Sequence, residues 1–213
     1  MITIAQVVAD ILQHDDLAMA AARRGWLNLS AYARTIQPQV EGALVKEVQE
    51  ASIITALSRA TAGLPLPAEP QTDSVQSLAV HSNLEGVTYE RSEETSAKIR
   101  EIYHQVNVDN KAFLTVTQGI NEVTIVAEAS VARVFRQALS GAHKVYDKRN
   151  LVGITVKFAP FNLEVPNLIF ALTRRLAYKD INIIEVVSTA TELTYIIERK
   201  NLSAALEQLQ KDI

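Results

Sequence analysis

Apolar residues between positions 3 and 62 recur three and four apart, and the strict alternation of a half-buried strand is missing. This spacing predicts helices over about 3–13, 15–24, 28–37 and 47–62. Asp15, Asn28 or Ser30 are the candidate N-caps, Gly25 is a stop, and the third helix closes before Pro38. The pattern then breaks at Leu64-Pro65-Leu66-Pro67-Ala68-Glu69-Pro70, where three prolines in six positions favour an extended spacer. Beyond it, alternating β-branched runs interleave with amphipathic stretches, as in a mixed α+β region.

The second region repeats itself. Glu122-Val123-Thr124-Ile125-Val126-Ala127-Glu128 returns seventy positions later as Glu192-Leu193-Thr194-Tyr195-Ile196-Ile197-Glu198. Phe113-Leu114-Thr115-Val116 returns as Ile183-Ile184-Glu185-Val186, and Ile99, Ile102 and Val106 return as Ile169, Leu172 and Leu176, at the same offset. Upstream, Asn83-Leu84-Glu85-Gly86-Val87-Thr88 matches Asn150-Leu151-Val152-Gly153-Ile154-Thr155 at an offset of sixty-seven. The second copy has therefore gained three residues between its first strand and its first helix. Each copy reads strand, helix, strand, strand, helix, over about 84–90, 93–106, 112–118, 122–128 and 130–140, then 151–158, 166–178, 182–188, 192–199 and 201–212. A closing strand makes each a ferredoxin-like βαββαβ sheet with both helices on one face. His143-Lys144-Val145-Tyr146-Asp147 supplies it in copy one, and the unused stretch 75–82 is the candidate for copy two. The expected division is a helical domain at 1–63, a linker at 64–74, and α+β domains at 75–149 and 150–213.

Val165-Pro166-Asn167-Leu168-Ile169-Phe170-Ala171-Leu172 followed by Asp180-Ile181-Asn182-Ile183-Ile184-Glu185-Val186-Val187-Ser188-Thr189 resembles an ACT domain, and is most similar to those of the regulatory end of aspartate kinases. The family pattern is a Pro-Gly-Val-like helix start, a Gly-Ile-Asn-like turn and a strand ending in Ser-Thr. Asn167 stands at the usual Gly position, where left-handed backbone is needed and Asn is tolerated. Copy one departs further, with Ser92-Glu93-Glu94-Thr95 at its helix start. The resemblance spans 84–213 and implies a pair of ACT domains that bind a small regulatory ligand, often an amino acid, between paired domains. The motifs of a kinase catalytic half are absent.

The resemblance also gives the three extra residues a meaning, since the segment 158–166 is where such domains hold their effector. A helix N-terminus offers free N–H groups to a carboxylate. Phe161, Asn162, Leu163, Pro166, Asn167, Asn182, Ile183 and Ser188 are the expected ligand contacts, Asn182 by analogy reaching across a dimer. The alternative is that Pro160 and Pro166 only stiffen a surface loop. Glu93 and Glu94 repel an anion in copy one, which is read as structural.

Composition narrows the rest. Cysteine is absent, so disulfides and thiolate metal sites are excluded. His14, His81, His104 and His143 lack metal-ligand spacing, and no phosphate loop, nucleophile elbow or zinc pair occurs. No cofactor and no catalytic centre are expected. No apolar run reaches the ~18–20 residues of a membrane span, and a cytoplasmic protein is expected. Trp26 reads as a core anchor at a helix junction. The helical region resembles a helix-turn-helix, whose groove-reading contacts would be Arg34, Lys46, Thr55 and Arg59. Its five basic residues are outnumbered by six acidic ones, however, and phosphate contacts dominate DNA affinity. A docking or dimerisation unit is the preferred reading and a ligand-responsive transcription regulator the alternative. A homodimer is expected, because a one-layer sheet leaves an edge and a face uncovered.

Overall fold

A computed structural model describes residues 2–66, 75–106, 112–159 and 166–210. The chain divides into two compact units, Met1–Glu69 and Pro70–Ile213.

The first unit holds four helices: α1 (Ile4–Gln13), α2 (Asp16–Arg23), α3 (Leu29–Leu44) and α4 (Glu50–Thr61). Polar caps begin the first three. Thr3 and Gln6 form a reciprocal capping box, Asp15 accepts from the Ala18 N–H, and Asn28 accepts from the Ala31 N–H. The Tyr32 hydroxyl donates to Asp15 Oδ2 at 3.1 Å and ties α3 to the start of α2. Burial and the neighbouring carboxylate push this phenol up to about 12. Val8, Leu12, Ala33, Ile36, Val40, Ile53 and Leu57 form the core.

Two expectations fail here. α3 does not stop before Pro38 but runs through it to Leu44. Ile36 and Val40, buried on either side of the proline, hold the helix together across the missing N–H bond. Trp26 is not a core anchor: it is 75% exposed, with the Arg24 guanidinium 5.4 Å from its ring centroid.

The second unit is α+β. Its elements are β1 (Val75–Glu90), α5 (Glu93–Gln105), β2 (Leu114–Gln118), β3 (Glu122–Glu128), α6 (Ala129–Ala138), β4 (Lys144–Phe158), α7 (Leu168–Ala177), β5 (Ile183–Ser188), β6 (Glu192–Glu198) and α8 (Leu202–Leu209). The strands form one antiparallel sheet in the order β2-β3-β1-β4-β6-β5.

β1 and β4 are long because each serves both repeats. The Leu84–Glu90 stretch of β1 lies between β3 and the start of β4, while Val75–His81 pairs with Gly153–Phe158 at the end of β4. Leu84 faces Leu151, its own repeat equivalent, and His81↔Gly153 is mirrored by Gly86↔Lys148. A local two-fold axis therefore passes between Leu84 and Leu151. Asn83 and Asn150, at φ 60° and 59°, mark the irregularity beside the axis in each strand. The repeats also share a threonine pair, Thr88 Oγ1 to Thr124 Oγ1 at 2.9 Å and Thr155 Oγ1 to Thr194 Oγ1 at 2.7 Å.

One sheet face carries the helices. Ile99 and Ile102 of α5, Phe135 of α6 and Leu139 at the end of α6 cover Val87, Tyr89, Val123 and Ile125. Leu168, Leu172 and Leu176 of α7 and Ala205 and Leu209 of α8 cover Ile154, Val156, Leu193, Tyr195 and Ile197. On the other face Leu84, Val126, Leu151 and Ile196 make a second, smaller core under Phe113 and Ile184. The sheet curls over this cluster. Burial pushes the half-buried Glu185 carboxyl of edge strand β5 up, opposed by a hydrogen bond with Thr117 on the opposite edge strand, β2.

The repeats differ in their ionic content. Arg136 on α6 binds Glu85 of β1 and Asp147 of β4, the latter at 2.7 Å. At the corresponding positions the second repeat has Leu206, Val152 and Val80.

Candidate functional site

α7 begins without a side-chain cap. Its N-cap is Asn167, which adopts a left-handed conformation at φ 67° and ψ 6° and has no side-chain hydrogen bond to the first turn. Asn tolerates this geometry better than β-branched residues do. The first turn contains no acidic residue, so the opening N–H groups keep their positive potential. The start of α5 is organised differently. Ser92 Oγ accepts from the Thr95 N–H at 3.0 Å, and Glu93 and Glu94 occupy the first turn.

The turn between β5 and β6 faces the start of α7. Its N–H at Thr189 donates to the Glu192 carbonyl at 2.9 Å, and the Phe158 N–H at the end of β4 donates to the Thr191 carbonyl at 2.8 Å. These bonds join the end of β4 to the hairpin, and the two flank a cleft of about 250 Å³ with the start of α7. Phe158, Leu168 and Leu193, all buried, line it with the exposed Ile169 and Phe170 and with Ala190. Asn167, Ser188 and Thr189 supply uncharged polar groups, and Glu192 is the one charged side chain among the described residues of the lining. The arrangement can hold a small molecule with an apolar part against the floor and polar groups at the mouth.

Of the residues expected to contact a ligand, Asn167 and Ser188 come together in this cleft. Pro166 precedes Asn167 but does not line it. Asn182 and Ile183 lie at the opposite end of β5 from Ser188, roughly 15–20 Å away at ~3.3 Å per strand residue. Phe161, Asn162 and Leu163 lie outside the described residues. Phe158 belongs to the segment 158–166 singled out in the sequence, whereas sequence reasoning missed Leu168, Ile169, Phe170, Thr189, Ala190, Glu192 and Leu193 as contacts. The repeat alignment held a signal for the turn residues, because Gln118-Gly119-Ile120-Asn121 and Ser188-Thr189-Ala190-Thr191 occupy the same offset.

In the helical unit Arg34 Nη1 is paired with Glu50 Oε1 at 3.2 Å, and the Thr55 hydroxyl donates to the Ala51 carbonyl of its own helix at 2.8 Å. Ile53 and Leu57 of α4 point into the core. The outward positions Ala51, Ser52, Thr55, Ser58 and Arg59 carry a single cation. Lys46 is exposed in the loop before α4, next to the exposed Glu47. Among the described residues no cluster of His, Asp and Glu could hold a metal ion, and no helix is long and apolar enough to cross a membrane.

No protein-family model and no curated protein sequence matches the chain. Solved structures do. The regulatory subunit of aspartate kinase from Thermus thermophilus, in a ligand-free form, superposes at TM-score 0.54 with 12% identity, over 66% of this chain and 99% of the subunit. The fold is that of an aspartate kinase regulatory region. The aspartate kinase of Clostridium acetobutylicum, described as an allosteric enzyme, gives TM-score 0.54 at 10% identity over 65% of this chain. There the chain spans only 35% of the enzyme's length. Aspartokinase III of E. coli, solved with lysine and aspartate, gives TM-score 0.50 at 13% identity over 81% of this chain and 43% of the enzyme. The likeness thus extends over a whole regulatory subunit but only a part of each full enzyme, as an aspartate-kinase-like regulatory (ACT-type) fold.

Proposed function

We propose that this protein is a non-catalytic regulator that senses a small ligand, an amino acid, through the second repeat of its sheet unit and relays occupancy through its helical unit. One observation carries the reading: an uncapped helix start, free of acidic residues, borders the described cleft in the second repeat. The same end of the first repeat is capped and acidic. An α-carboxylate fits the free N–H groups of α7, and an α-ammonium fits the carboxylate of Glu192 at the rim. The fold supports a regulatory role, and the E. coli neighbour was solved with lysine and aspartate. The mixed charge around α4 favours a partner protein over DNA as the target of the helical unit. A second copy is expected to cover an exposed sheet edge.

The reading is tested by a thermal-shift screen of the full chain against the twenty amino acids. A ligand that binds only the folded state stabilises it by ~2.7 kcal/mol at a hundred times its Kd, a shift of several degrees. An amino acid that raises the transition of the wild type but not that of Asn167→Asp supports the proposal. No shift from any amino acid overturns it.

A further inference from the structure

The internal two-fold relation allows the two repeats to be compared atom for atom at this end of the sheet. The Thr189 N–H to Glu192 carbonyl bond has its counterpart in Gly119 to Glu122, at 2.8 Å, and the Phe158 N–H to Thr191 carbonyl bond in Arg91 to Asn121, also at 2.8 Å. The two repeats therefore build the same backbone frame. What differs is the lining. Phe158 is replaced by Arg91, Phe170 by Arg100, Asn167 by Ala97 and Ala190 by Ile120, and these four line the matching cleft of the first repeat beside Ser92, Glu93 and Ser96. Arg91 folds over the turn there, its Nη1 donating to the Gly119 carbonyl at 2.9 Å.

From this exchange we infer that the second-repeat cleft selects a neutral amino acid with an aliphatic or aromatic side chain, and discriminates against lysine and aspartate. The inference rests on the function proposed above and specifies its ligand. The floor of Phe158, Leu168 and Leu193 contains no polar side chain, and Ile169 and Phe170 extend it to the rim. A charged ligand side chain lying on that floor would lose its hydration without a partner. The carboxylate of aspartate would also meet Glu192, the one charged group among the described residues of the lining. The ammonium of lysine could reach Glu192 only by competing with the ligand's own α-ammonium. The cleft volume of about 250 Å³ lies below the ~300–1,000 Å³ of pockets for drug-sized ligands and suits a ligand of amino-acid size.

The test is calorimetry on the full chain with L-leucine, L-phenylalanine, L-lysine and L-aspartate, on the wild type and on Phe170→Arg, Glu192→Gln and Asn167→Asp. Phe170 is 63% exposed, so writing the first repeat's arginine there leaves folding intact, which an unchanged melting transition confirms. Leucine or phenylalanine is expected to bind at least ~10-fold more tightly than lysine or aspartate. Phe170→Arg and Glu192→Gln should each weaken it ~10-fold, the loss of about 1.4 kcal/mol. Tighter binding of lysine or aspartate, abolished by Asn167→Asp, overturns the inference while the proposed function stands. Leucine or phenylalanine binding that is indifferent to Phe170→Arg also overturns it. No heat from any of the four, together with no thermal shift from the twenty, overturns both.

Discussion

Truncating Leu151 to Ala tests the idea that the sheet curls over a second core at its internal axis. Leu151 is fully buried and packs with Leu84, Val126 and Ile196, which are at most 1% exposed. The substitution removes about three methyl or methylene groups, ~0.8 kcal/mol each, or ~2.4 kcal/mol before any cavity term. Collapse into the gap is limited on one side by Gly86. A Cβ placed there would lie 3.3 Å from Leu151 Cδ1, so the glycine has no side chain to move into the void. The total should be ~3–4 kcal/mol, in the middle of the range for buried Leu→Ala changes. For a unit of this size that is a fall of about 10 °C in melting temperature, at ~2–4 °C per kcal/mol. Denaturation in urea followed by far-UV circular dichroism measures it. Val80→Ala, at a position that is 44% exposed on the same pair of strands, is the control and should cost under ~1 kcal/mol. A cost under ~1 kcal/mol for Leu151→Ala as well would mean that this face is not packed and that the sheet does not close over it.

Four further outcomes follow. Val45 ends α3 with φ 52° and is 90% exposed, so Val45→Gly should relieve left-handed strain and stabilise the helical unit by ~1 kcal/mol; a loss of stability in thermal denaturation would contradict it. Arg136→Met leaves Glu85 and Asp147 without their guanidinium partner, with side chains 18% and 22% exposed, and should cost ~2–3 kcal/mol at neutral pH, less than for a fully buried pair. The same variant should flatten the acid limb. Burial raises the Asp147 carboxyl, but hydrogen bonds from Lys144 and Arg136 and their charges outweigh it and hold the group below its usual value. Its stabilisation is therefore present above the unfolded carboxylate pKa of ~3.9 and is lost as pH falls through the lower folded value. Equal acid sensitivity of wild type and Arg136→Met would refute that assignment. Light scattering should give twice 23.5 kDa; a monomer at micromolar concentration would count against the paired sheet.

The sequence made the local features legible and left the tertiary ones hidden. The seventy-residue repeat anticipated β3 and β6, because both are inner strands of the sheet whose buried apolar runs recur at one fixed offset. Asp15 and Asn28 cap helices as their chemistry suggested, and Asn167 takes left-handed backbone as a residue in a glycine position should. β1 and β4 were harder to see as single strands. The stretches 75–82 and 84–90, and likewise 143–147 and 151–158, read as separate strands, yet antiparallel pairing carries β1 through Asn83 and β4 through Asn150. Pro38 read as a helix end because local rules cannot weigh Ile36 and Val40 packing on both sides of it. Trp26 read as core because its size suggests burial, whereas its stacking on Arg24 leaves it in solvent. The cleft combined a predictable part, the start of α7, with residues of β4 and the β5–β6 turn that only the folded sheet brings beside it.

The central claim is that an amino acid binds at the start of α7, and calorimetry with whichever amino acid a screen returns tests it most directly. Asn167→Asp places a carboxylate beside the ligand's own at an exposed position that tolerates Asp. Ala97→Asp makes the change at the repeat-equivalent position of the first repeat, where Ala97 is exposed. The account predicts a loss of affinity of at least ~10-fold, or ~1.4 kcal/mol, for Asn167→Asp, and wild-type affinity for Ala97→Asp. Equal affinity in all three proteins would contradict it.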